Sequence, residues 1–162
     1  MDLKEWHDFF VATASAAAAL TGLIFVGVSI NITKILSYPK LPDRALLSII
    51  LLLNILIVSI LVLIPSQSYI AIGIETLVIS VSVYSFVTGM DRGIYKNMDG
   101  AYKGQYRISI FYNQLSFIPY IIAAVAMLII KEDGIYWLVP GIIISFIKSV
   151  VDAWVLLVEI NR

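Results

Sequence analysis

The sequence predicts an all-α integral membrane protein: a helical bundle of five transmembrane helices, one N-terminal helix followed by two helical hairpins. Three observations predict it. The 162 residues are 60% hydrophobic and only 14% charged, whereas soluble domains are about 45–50% apolar and about 25% charged. The mean hydropathy is +0.96, so a soluble chain of this length could not hide its apolar surface. Five stretches each hold the roughly 20 mostly apolar residues that a spanning helix needs.

The first span covers about residues 6–30 and reads WHDFFVATASAAAALTGLIFVGVSI. Its A-x-A triplets resemble a signal-peptidase site, but Asp2, Glu5 and Asp8 oppose a single Lys4, and a signal peptide needs a positive n-region. The second span, 45–64, stops at PSQS (65–68), where proline breaks the helix. The third and fourth spans, 69–90 and 108–130, flank the polar stretch DRGIYKNMDGAYKGQYR (91–107). KEDG (131–134) turns the chain into the fifth span, 135–160. Residues 1–162 form a single transmembrane domain, with long polar loops expected at 31–44 and 91–107.

Lysine and arginine set the orientation. Lys34, Lys40, Arg44, Arg92, Lys96, Lys103, Arg107 and Arg162 fall on one side of a five-span topology, and Lys4 and Lys131 on the other. The N-terminus is therefore expected outside and the C-terminus in the cytoplasm, in a bacterial inner membrane. The formal net charge is zero, which gives no bulk preference for nucleic acid. With no cysteine and one histidine, His7, thiolate chemistry and Cys- or His-cluster metal sites are excluded. No P-loop or Rossmann fingerprint appears, no nucleophile–base constellation suggests an enzyme, and no cofactor or metal is implied.

Polar residues recur at helical spacing, three and four apart, which places them on one face. The fifth span collects Gly141, Ser145, Lys148, Asp152 and Glu159; the fourth collects Ser109, Asn113, Ser116, Tyr120 and Ala124; the third gives Glu75, Ser82 and Ser85. At about 1.5 Å per residue, Lys148 lies about 20 Å below the outer surface, Ser116 about 21 Å, Asp152 and Asn113 about 25 Å, and Glu75 about 9 Å. Lys and Asp each cost about 2.5–3.5 kcal/mol at a helix centre, while each Leu, Ile, Phe or Val returns about 0.3–0.6. The two sums nearly cancel for the fifth span, so its charged stripe must face protein or water. Intramembrane ionisable groups are functional candidates by default. Ser145, Lys148, Asp152, Asn113, Ser116 and Glu75 are thus candidate pore or ion-pathway residues. The alternative is that Lys148 and Asp152 form a neutralised pair that fixes helix register. Glu75, without an obvious partner at its depth, suggests a wet cavity. Asn54 reads as an interhelical hydrogen bond.

The first span carries a small-residue ridge, Ser15, Ala18, Gly22 and Ser29. Ala18 and Gly22 form a small-xxx-small pair suited to close helix packing. The 91–107 stretch alternates aromatic and basic residues: Tyr95, Lys96, Tyr102, Lys103, Tyr106 and Arg107. Such a surface anchors a loop at the interface, attracts anionic lipid, or binds a nucleotide by stacking and phosphate contact.

Residues 6–31 and LIPSQSYIAIGIE (63–75) resemble an uncharacterised family of small bacterial multi-pass membrane proteins, whose members show a similar LTGLxFVxxSIN segment and a PxQ turn after the second helix. Some are loosely named modulators of a membrane-bound AAA protease. The resemblance covers the first half of the chain and implies an integral membrane protein; no site residue follows from it. In architecture alone, a small bundle without soluble domains also resembles the pore-forming membrane effectors of bacterial antiphage defence. The functional expectation is a homo-oligomeric channel or pore gated from the cytoplasmic side. The alternatives are a non-conducting regulatory subunit of another membrane protein and a proton-coupled transporter. The expected partners are the lipid bilayer, further copies of the chain, a nucleotide or anionic lipid at 91–107, and a protein partner.

Overall fold

A computed structural model describes residues 3–37, 41–96 and 100–160. Lys40 and Arg162 lie outside the described residues, as do the side chains of Lys4, Tyr102 and Glu159. Every element is helical: α1 (Leu3–Ile30), α2 (Ile32–Ser37), α3 (Leu41–Leu63), α4 (Tyr69–Lys96), α5 (Gly100–Ile130), a 3-10 segment (Lys131–Trp137) and α6 (Leu138–Ile160). Four segments are long and apolar enough to cross a membrane: Glu5–Ile30, Leu41–Leu63, Tyr69–Lys96 and Tyr106–Val158. The last holds most of α5 and α6 with the 3-10 segment between them.

The described parts of both long polar stretches, 32–37 and 41–44 in one and 91–96 and 100–107 in the other, fold as helix, which corrects the sequence reading. Polarity was the signal for a loop, but neither 91–96 nor 103–107 contains proline, and intrahelical hydrogen bonds do not require an apolar sequence. α4 and α5 have 28 and 31 residues, or about 42 and 46 Å. Both outreach a hydrocarbon layer of about 30 Å. At the other loop, the Asn31 side chain donates to the Gly27 carbonyl at 3.0 Å, and α2 follows at once. α3 begins with Leu41-Pro42; proline suits a first helical turn, where its missing N–H is not needed.

The chain divides into two compact units, residues 1–65 with 145–162, and residues 66–144. In the first unit α1 runs antiparallel to α3. Thr13 Oγ1 lies 3.0 Å from Ser59 Oγ, and Val28 packs on the cluster of Ile35, Leu41, Ala45 and Leu156 near the other end. Phe10, fully buried, packs with the rings of Trp6 and Phe9, which also touch each other. The C-terminal part of α6 joins this unit through the Ser149 hydroxyl, which donates to the Ser48 carbonyl at 3.0 Å.

In the second unit α4 and α5 form an antiparallel hairpin. α4 starts where the Ser68 side chain accepts the Ala71 N–H at 3.2 Å, a serine N-cap. After α5 the chain reverses at Lys131, which has φ 53°. Gly134 then lies against α5 so closely that a Cβ there would be 2.3 Å from the Met127 nitrogen. The exposed faces of the long helices are apolar, with Leu23, Phe86, Ile129 and Trp154 each more than half exposed. Contiguous exposed apolar surface on this scale is what lipid-facing helices present.

Candidate functional site

The hairpin of α4 and α5 carries the most organised polar site among the described residues. Ile72, Gly73, Thr76, Ser80, Val87 and Asp91 are the buried positions of α4, and their spacing follows one helical face. At one end Gly73 lets the helices approach: a Cβ there would be 3.1 Å from the Ala124 carbonyl oxygen. Further along, Gln114 Nε2 donates to Thr88 Oγ1 at 3.1 Å. One turn beyond, Asp91 is only 1% exposed. Its carboxylate accepts the Tyr106 hydroxyl at 3.0 Å and Asn113 Nδ2 at 3.2 and 3.1 Å to its two oxygens. α4 thus supplies the acceptor and α5 both donors, from positions two turns apart on one face.

Donors of this kind stabilise a carboxylate and hold its helix against theirs. Counted from Tyr69, Asp91 lies about 33 Å along α4, a length slightly greater than a bilayer core of about 30 Å. Asn113 Oδ1 is buried with no hydrogen-bond partner.

The sequence-predicted residues fall in several places. Asn113 belongs to the Asp91 cluster. Ser116 is fully buried and donates to the Tyr112 carbonyl of its own helix at 2.9 Å. Glu75 is half-buried and accepts Gln67 Nε2 at 2.6 Å, which corrects the expectation of a carboxylate without a partner. Ser82 and Ser85 are exposed and donate to their own i−4 carbonyls, so the stripe drawn through Glu75, Ser82 and Ser85 is not the packed face of α4. In α6, Lys148 and Asp152 form an ion pair one turn apart, with side chains 10% and 12% exposed, and Ser145 is fully buried.

Asn54 is 1% exposed, yet neither its amide oxygen nor its nitrogen has a partner. The expected interhelical hydrogen bond is not formed. Thr76 Oγ1 and Ser80 Oγ are also buried without a partner. Ala18 and Gly22 are exposed, and nothing lies within 4 Å of a Cβ placed on Gly22. The packed side of α1 runs instead through Phe10, Thr13, Ala17 and Val28.

Among the described residues of 91–107, Asp91, Tyr95, Lys103 and Tyr106 are engaged within the hairpin. Lys103 Nζ sits 5.5 Å from the centre of the Tyr95 ring, a cation–π contact. Tyr106 is engaged with Asp91, while Lys96 and Arg107 are exposed. Among the described residues no group of three or more His, Cys, Asp or Glu side chains could hold a metal ion.

Compared with known proteins, the chain matches no family model, no curated sequence and no solved structure. The resemblance of residues 6–31 and 63–75 to small bacterial membrane proteins therefore stays an expectation. Asp91 is the residue that sequence reasoning missed, because it opens the stretch read as a loop. A signal for it existed: Thr76, Ser80, Val87 and Asp91 continue one helical face past the apolar boundary.

Proposed function

We propose that the chain is one subunit of a homo-oligomeric channel in a bacterial inner membrane, with five spans and a cytoplasmic gate at the end of the α4–α5 hairpin that holds Asp91. The observation that carries this reading is the buried Asp91 carboxylate, held by Tyr106 and Asn113 across the two helices. A buried acid costs free energy unless its donors stay in place, so the cluster is a two-state latch: hydrogen-bonded with the two helices closed, or unpaired with the two helices apart. The basic residues of 31–44 and 91–107 support placing that end in the cytoplasm. Five helices enclose no wide path, so conduction needs several copies. In this reading Lys148 and Asp152, with Ser145 on the same face of α6, are candidate ion-pathway residues. Flux of a monovalent cation from proteoliposomes tests it: Asp91→Asn raises the rate above wild type if the latch holds the gate closed, and leaves it unchanged if the cluster only packs two helices.

A second reading is a non-conducting regulatory subunit of another membrane protein. The ridge of Ala18 and Gly22 favours it, because both residues are exposed and, among the described residues, nothing lies within 4 Å of a Cβ placed on Gly22. Gly22→Leu separates the two. It disrupts co-purification with a partner if the ridge docks one, and it leaves flux unaffected if the ridge only meets lipid.

A further inference from the structure

We infer that the outer ends of α4 and α5 form a binding site for a phospholipid with an anionic headgroup. Arg92 and Lys96 are one turn apart on α4, and Lys103 and Arg107 are one turn apart on α5. Arg92, Lys96 and Arg107 are exposed, and Lys103 is half-buried. Residues four apart on a helix have Cβ atoms about 5–6 Å apart, and packed helices lie about 8–10 Å apart. Four cations therefore border a surface about 10 Å across, wide enough for one or two phosphates. Among the described residues of 91–107 the one acid is Asp91, and it is turned inward onto Tyr106 and Asn113.

Two observations favour a lipid over a free nucleotide. First, the face of α5 that carries Lys103 and Arg107 continues at the same spacing into Phe111, 62% exposed, beside Ile108, 59% exposed. A headgroup held by the cations would thus lay its acyl chain along apolar side chains, which a nucleotide does not have. Second, among the described residues the rings that a base would stack on are already engaged. The Lys103 ammonium lies over Tyr95, and the Tyr106 hydroxyl is bound to Asp91. Lysine and arginine beside a membrane span are the usual partners of anionic lipid. Because Tyr106 lies between Lys103 and Arg107 on the same helix, a bound headgroup steadies the donor that holds Asp91.

The test is native mass spectrometry of the full chain in detergent, with phosphatidylglycerol, phosphatidylcholine, ATP and inorganic phosphate as separate probes. Its readout is binding and does not depend on conduction, so it stands or falls apart from the channel reading. The expected result is retention of phosphatidylglycerol over phosphatidylcholine. Lys103→Gln with Arg107→Gln should weaken that retention about thirty-fold, at about one kcal/mol for each charge removed. Lys103→Arg with Arg107→Lys should keep it. An unchanged thermal midpoint in phosphatidylcholine micelles confirms that the variants fold. Equal retention of the two lipids, or full retention in the double glutamine variant, overturns the proposal. Displacement of the lipid by inorganic phosphate assigns the site to free phosphate and overturns it too. Binding of ATP that phosphatidylglycerol does not compete replaces it with a nucleotide site.

Discussion

The Tyr106 hydroxyl donates to the Asp91 carboxylate at 3.0 Å, joining α5 to α4 across fifteen residues of chain. Asn113, two turns further along α5, completes the grip from the same side. The arrangement depends on helical structure in a stretch whose composition suggests a loop. Hydrogen bonds to ionised groups contribute about 1.5–3 kcal/mol, and Asn113 remains in place when Tyr106 changes. Tyr106→Phe is therefore expected to cost about 1–2 kcal/mol, read as a lower midpoint in thermal unfolding. Asp91→Leu with Tyr106→Phe should cost more than Tyr106→Phe alone, because it leaves the buried Asn113 Nδ2 without its acceptor.

The turn at residue 134 is the tightest contact in the second unit. A Cβ at Gly134 would lie within 2.7 Å of three backbone atoms of Ala126 and Met127, and backbone cannot step aside as a flexible side chain can. Overpacking costs about 1–3 kcal/mol and at times more. Gly134→Ala is expected at or above the top of that range, with reduced recovery of folded protein. Gly22→Ala, where the space is open, is expected to be within about 0.5 kcal/mol of wild type.

The ion pair of Lys148 and Asp152 makes an asymmetric prediction. Removing one partner of a buried pair costs about 3–5 kcal/mol, whereas replacing both with apolar residues of similar volume is often neutral or stabilising. Lys148→Met alone should thus lower the unfolding midpoint sharply, and Lys148→Met with Asp152→Leu should restore it. If the pair instead lines a path, the double variant folds normally and changes ion flux, so stability and flux measured together separate the two roles.

Asn54 contributes specificity or function at the expense of stability. A buried amide without partners loses about 1–3 kcal/mol in desolvation. Asn54→Leu is expected to raise the unfolding midpoint. A lower midpoint would mean that a bound water satisfies the amide in the membrane.

Much of the fold could be read in the sequence, because lipid exposure imposes a strong rule: apolar runs of spanning length must be helices. The turns at PSQS and KEDG were readable for the same reason, since they interrupt those runs. The interior was less readable. Glu75 and Asp91 are both acidic residues of α4, and composition favoured Glu75 because it lies deeper in an apolar run. What decides between them is which face meets α5, and Gly73 sets that by letting the helices touch at its own face. Tyr106 and Asn113 were each singled out, one as a loop ligand and one as a pore residue. Their common partner was hidden because Asp91 was placed outside the helix.

The most direct test of the latch uses the absence of cysteine from the chain. Thr88 and Gln114 face each other across α4 and α5, so Thr88→Cys with Gln114→Cys can be joined by a disulfide on the background of Asp91→Asn. Cation flux from proteoliposomes is then measured before and after reduction. A gate formed by this hairpin predicts low flux in the oxidised protein and high flux once the disulfide is reduced. Equal flux in both states would contradict the account, since the helices that Asp91 holds together would then have no part in opening a path.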